Sequence, residues 1–197
     1  MEPRFSGRGF VLAVSAPSGT GKTSLCDKLA AEHPRVRRSI SVTTRPQRKG
    51  EVSGQDYIFV SREDFQQKKA AGHFLETAEV FGNWYGTPIE PVKLALDEGF
   101  AIVMDIDTVG ALRIEELMPA DTVMVFVLPP SIEELERRLV ARGKNTADEL
   151  ERRLKEARRE IAESSRYQYR FENREFDRAY ATLVEIVEKE FLARQKA

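Results

Sequence analysis

The stretch VSAPSGTGKTSL, residues 14–25, directly follows an apolar run over residues 9–13 that has the composition of a buried strand. Within it, Ala16, Pro17, Ser18, Gly19, Thr20, Gly21, Lys22 and Thr23 keep the spacing GxxxxGK[ST], with Ala16 at the place of the first glycine. Glycines let the chain turn tightly, so that successive backbone N–H groups face one concavity. The helix that follows adds the partial positive charge of its N-terminus. The ligand of such a loop is a nucleoside triphosphate: Lys22 reaches the terminal phosphates and Thr23 ligates Mg²⁺. A dinucleotide loop would need a third glycine where Ser24 stands, and a guanine-reading NKxD tetrapeptide is absent from the sequence. What the loop leaves open is a kinase for a small molecule or a nucleotide.

The remaining composition narrows the setting. With 197 residues, 41% of them hydrophobic and 32% charged, a single globular domain is expected, large enough to carry one inserted subdomain. A net charge of −1 argues against a nucleic-acid partner, because counterion release requires an excess of Lys and Arg. No segment has the length and apolarity of a membrane span, and residues 1–9 lack the apolar core of a signal peptide. Cys26 is the sole cysteine, which fits a reducing compartment, and the cytoplasm is the expected location. His33 and His73 lie far apart and read as surface or turn residues, so histidine-based metal chemistry has no ligand set.

Along the chain, short apolar runs alternate with longer amphipathic ones. Residues 10–14, 101–105 and 123–128 read as strands, and the alternation predicts an α/β fold with a parallel sheet covered by helices. Leu25, Cys26 and Leu29 share the inner face of the helix expected from Lys22. Pro88 and Gly99 frame another helix, and Ser131 with Glu134 has the form of a capping box. Residues 38–87 break the rhythm with strand-like pieces around a helical stretch at 62–71, which predicts an inserted, mixed α/β subdomain. Residues 131–163 carry Arg and Glu at helical spacing, interrupted near Gly143. Tyr180, Leu183, Val184, Val187 and Phe191 form the stripe of a core-packed helix.

The acceptor is written in other stretches: SISVTTRPQRKGEV at 39–52, GQDY at 54–57, FLE at 74–76, GNWYGT at 82–87 and DID at 105–107. In this order and at these distances they strongly resemble the guanylate kinase family, and the likeness runs over nearly the whole chain. The resemblance implies a three-layer P-loop fold comprising a core (1–37, 88–140 and 165–197), a nucleoside-monophosphate-binding subdomain (about 38–87) and a helical lid (about 141–164). It implies transfer of the γ-phosphoryl group of ATP to GMP or dGMP with Mg²⁺, by a monomer or homodimer. Arg45, Arg48, Tyr57 and Tyr85 would hold the acceptor phosphate with support from Ser41. Two guanidinium groups and a phenol suit a phosphate dianion.

The resemblance gives base selection to Glu76, with Thr87 and Ser41 beside it. Guanine presents N1–H and an exocyclic amine on one edge, and an ionised carboxylate accepts from both, whereas adenine offers it an N1 lone pair. Asp105 would lie between acceptor and metal, with Asp107 close behind. Lys22, Arg45 and the lid arginines Arg138, Arg142 and Arg153 would absorb charge in the transition state. The sequence departs from the family pattern at Val109, at the lid tip Lys144–Ala147, and at Tyr169–Asn173. That last run is more polar than usual; the resemblance implies that it forms the final strand, with Asn173 near the adenine. Two alternatives stand beside this reading: a P-loop kinase for another small acceptor, and a non-catalytic module holding a phosphopeptide or protein in the same pocket.

Overall fold

The computed structural model describes residues 8–80, 82–141 and 146–195. Its centre is a parallel five-stranded sheet of β1 (Phe10–Ser15), β2 (Val36–Arg38), β7 (Ala101–Asp105), β8 (Thr122–Leu128) and β9 (Tyr169–Glu172), in the order β2-β7-β1-β8-β9. Every residue of β1 is buried, as a strand with both faces covered must be. Successive side chains point to opposite faces. Phe10, Leu12 and Val14 therefore join Leu25 and Leu29 of α1 (Lys22–Glu32) and Leu183, Val187 and Phe191 of α7 (Phe176–Gln195). Val11 and Ala13 join Val92 and Leu96 of α3 (Ile89–Asp97) and Ala111 and Ile114 of α4 (Thr108–Leu117) on the other face. The result is helix, sheet, helix in three layers, with each fully buried leucine contributing about 1.5–3 kcal/mol.

A smaller sheet grows out of the connection between β2 and α3. Its strands β3 (Val42–Thr43), β4 (Ile58–Phe59), β5 (Phe74–Val80) and β6 (Asn83–Pro88) run in the order β4-β3-β6-β5, with α2 (Arg62–Ala70) packed against them. Phe65 of α2 is fully buried, stacked on Phe74 with ring centres 4.7 Å apart and tilted against Trp84 at 6.0 Å. Gly86 has to be glycine beneath this cluster, because a Cβ there would lie 2.9 Å from the Phe74 ring. A helical hairpin of α5 (Ile132–Ala141) and α6 (Ala147–Glu163) stands over the phosphate loop, closed on itself by Leu135, Leu139, Leu154 and Ala157. Thr146 and Glu149 make a complete capping box at the start of α6. No helix among the described residues is long and apolar enough to cross a membrane.

Some local expectations need correction. His33 is buried at 8% exposure rather than lying on the surface: its Nδ1 accepts from the Arg35 N–H, its Nε2 meets Glu188 at 2.9 Å, and its ring stacks on Phe191. A lone histidine at a helix end gives no sign in sequence of a partner supplied by α7, 155 positions away. At α5, Ser131 accepts from the Glu134 N–H, but the Glu134 carboxylate turns to Arg137 and Arg138, so only half of the capping box forms. The polar run after Tyr169 is a strand, registered in parallel on β8 from Val125↔Tyr169 to Leu128↔Glu172. As an edge strand it needs apolar groups on one face only, and Tyr169 and Phe171 supply them while Arg170 and Glu172 face solvent.

Candidate active site

β1 delivers the chain into the phosphate loop at the C-terminal edge of the sheet, where ligand crevices of open α/β folds lie. Gly19 and Gly21 have φ of 98° and 96°, the left-handed region that lets the loop curl ahead of α1. Ala16 is packed into the core, so a methyl group suffices at the place of the first glycine. The loop is tied from behind by Asn173, whose Nδ2 donates to the Thr20 carbonyl at 2.7 Å and whose backbone N–H donates to Leu128.

Asp105, the last residue of β7, is the meeting point of the site. Lys22 Nζ lies 2.8 Å from its Oδ1, and the Thr23 hydroxyl donates to its Oδ2 at 2.6 Å. The same lysine donates to the Ile106 carbonyl at 2.8 Å. Burial alone would raise the Asp105 carboxyl, but the Lys22 ammonium, the Thr23 hydroxyl and Arg38 outweigh it and hold the group below its ordinary value. Asp107 caps α4 by accepting from the Gly110 N–H at 2.7 Å.

A cleft of about 580 Å³ is walled by Ala16–Gly19, Gly21–Ser24, Arg153, Glu156 and Glu160, so the loop faces α6. A second cleft, of about 270 Å³, lies under the small sheet and is lined by Ser41, Tyr57, Glu76, Tyr85, Thr87 and Asp105, among others. Tyr57, Val80, Asp105 and Asp107 line both, so the clefts communicate across the Asp105 carboxylate. At the inner end of the smaller cleft, Thr87 donates to Glu76 Oε1 at 2.7 Å. Burial pushes the Glu76 carboxyl above its ordinary value, and the Thr87 hydrogen bond opposes that rise.

Arg45 is positioned by the backbone beneath it. The Thr43 hydroxyl donates to the Trp84 carbonyl and accepts from the Arg45 N–H, which fixes the TTR turn to β6. Its guanidinium forks onto Glu51, at 2.7 and 3.1 Å, and packs over Tyr57. Arg48 is exposed and donates its backbone N–H to the same Glu51 carboxylate; its side chain is outside the cleft lining. Arg138 donates to Glu134 and to the Asn173 carbonyl, behind the phosphate loop, whereas Arg153 lines the larger cleft. Arg142 lies outside the described residues. Sequence reasoning passed over Arg38, which lines the smaller cleft, and gave Asn173 no secure part. The sole clue to Arg38 was its place immediately before the SISVTTRP stretch.

A phosphate loop whose cleft runs into a second one under a separate small sheet places the chain among the P-loop phosphotransferases. A family model described as guanylate kinase matches residues 8–190. The chain belongs to the guanylate kinase family. It is 46% identical over 189 residues to the guanylate kinase of Caulobacter vibrioides, covering 96% of this chain and 89% of that one. It is 46% identical over 180 residues to the guanylate kinase of Symbiobacterium thermophilum, covering 91% and 85%. Among solved structures it is similar to guanylate kinase from Anaplasma phagocytophilum, with a TM-score of 0.77, 36% identity and coverage of 94% and 87%.

Proposed function

We infer that the chain is an ATP:GMP phosphotransferase, producing GDP and ADP in purine nucleotide metabolism, and that it accepts dGMP as well. The observation that carries the reading is the continuity of the two clefts across Asp105, with the Glu76–Thr87 pair at the inner end of the acceptor side. An oxygen of the acceptor phosphate attacks the γ-phosphorus of ATP in line, the bond to ADP breaks, and no protein nucleophile is required. The catalytic problem is positioning and charge.

The loop N–H groups hold the donor phosphates, and Lys22 moves its charge onto the terminal ones. Thr23 Oγ1 and Asp105 Oδ2, 2.6 Å apart, are hard oxygen ligands of the kind Mg²⁺ takes together with phosphate oxygens and water. When bound, that ion neutralises phosphate charge. Arg45, Tyr57 and Tyr85 orient the acceptor phosphate, with Arg48 swinging in from the rim and Ser41 beneath. Glu76 reads the guanine edge, held by Thr87. Arg153 faces the donor from α6, Arg138 adds charge from α5 behind the loop, and the hairpin excludes water that would otherwise hydrolyse ATP.

The test is ADP release, coupled to a spectrophotometric readout, with ATP, Mg²⁺ and each of GMP, dGMP, AMP, CMP and UMP. GMP and dGMP should be turned over and the others rejected by about 10⁴-fold in kcat/KM. Equal rates with AMP and GMP would overturn the assignment. Lys22→Ala should abolish turnover while GMP binding, followed by calorimetry, is kept.

A further inference from the structure

Arg38 is the guanidinium that lines the acceptor cleft, and no part of the reaction above uses it. It ends β2, registered on Val103 of β7 and held there by the Ser39 N–H donating to the Val103 carbonyl at 3.0 Å. This register puts it level with the end of β7 that presents Asp105. One terminal nitrogen meets Asp27 Oδ1 of α1 at 2.5 Å, and the other lies 3.7 Å from Asp105 Oδ2. Its side chain is 28% exposed, against 56% for Asp27. It lines the acceptor cleft but not the donor cleft.

Accepting the phosphotransfer reading, we propose that Arg38 is a positioning residue for that reaction: it holds the Asp105 carboxylate in place from the acceptor side. In the structure Lys22 and Thr23 hold that carboxylate at 2.8 and 2.6 Å, and the Arg38 guanidinium stands beside it at 3.7 Å. Lys22 and Thr23 belong to the phosphate loop, and their charge and hydroxyl are committed to the donor nucleotide during the reaction. Arg38 is carried by a different strand and stays beside Asp105 whatever the loop holds. A forked guanidinium can bridge carboxylates on two elements at once, which an ammonium does with less geometric definition. One arm of the fork rests on the half-exposed Asp27 and the other faces Asp105.

The test compares Arg38→Met, Arg38→Lys, Asp27→Asn, Asp105→Asn and the double variant Arg38→Met/Asp105→Asn, reading kcat, the KM values for GMP and ATP, and thermal midpoint. Arg38→Met should lower kcat about tenfold, leave the KM for ATP unchanged, and regain part of the loss as Arg38→Lys. Asp27→Asn should keep kcat within about twofold, because the fork retains its Asp105 arm. In the Asp105→Asn background, Arg38→Met should cost no more than about twofold, since groups acting as a unit are not additive. The inference is overturned if Arg38→Met leaves kcat unchanged. It is equally overturned if Asp27→Asn loses as much activity as Arg38→Met, which would make Arg38 a strap between β2 and α1, or if the losses multiply in the double variant. Wild-type turnover with GMP is the separate control for the reaction itself.

Discussion

A half-buried carboxylate set against a hydroxyl is an expensive group to keep unless it has a task. Glu76 accepts a hydrogen bond from Thr87, and desolvation already pushes its pKa upward. Its two oxygens can accept from both guanine donors only when ionised, so the carboxylate form is the one that reads guanine. Glu76→Gln replaces one acceptor oxygen with an amide donor. The expected result is a fall of about 100-fold in kcat/KM for GMP and a collapse of the GMP-to-AMP ratio. Retained discrimination in a side-by-side assay would move base reading to another residue. Read from sequence, Glu76 is an acidic residue after two apolar ones, and family resemblance alone singles it out. Its burial and its partner come from β5 pairing with β6, with Thr77 opposite Gly86 beside Thr87.

At the scale of elements, the phosphate loop is held by a strand that arrives late in the chain. Asn173, just beyond β9, joins the Thr20 carbonyl of the loop to Arg138 of α5, so loop and hairpin share one anchor. Gly21 leaves it room: a Cβ at this left-handed residue would lie 2.6 Å from Asn173 Nδ2. Asn173→Ala removes a buried donor and leaves the Thr20 carbonyl unpaired, at a cost of about 1–3 kcal/mol. Thermal unfolding should show this loss. Steady-state kinetics should show the KM for ATP rising by more than the KM for GMP; an equal rise in both would separate Asn173 from the donor side. The strands β1 and β7 and the helix α1 were legible because their apolar period agrees with their burial. Asn173 was not, since a side chain that ties a loop 153 positions away follows no local pattern.

For the whole molecule, the donor cleft carries an electrostatic strain of its own. Burial raises the Glu160 carboxyl from an ordinary 4.5 to about 7; Lys22 works against the rise, and Glu156, Asp107 and Glu163 add to it. An acid with a raised folded-state pKa binds more protons folded than unfolded between those two values. Its contribution to stability is therefore fullest at low pH and is lost as pH rises through about 7. Glu160→Gln should raise the thermal midpoint at pH 8 relative to the parent chain, with the gap closing by about pH 5. A gap independent of pH would assign the effect to packing instead.

The sequence by itself determined the three-layer α/β class, the phosphate loop and, through resemblance, the guanylate kinase family. Those features rest on local periodicity and on backbone rules that act within a few residues of Gly19, Gly21 and Lys22. Tertiary structure alone decided that His33 is buried against Glu188 and that Asn173 anchors the loop. It also brought Arg38, Lys22 and Thr23 to one carboxylate at Asp105. The physical reason is common to all of them: each depends on a partner supplied by strand register or helix packing from a remote part of the chain, and side-chain chemistry has no period that announces such a partner.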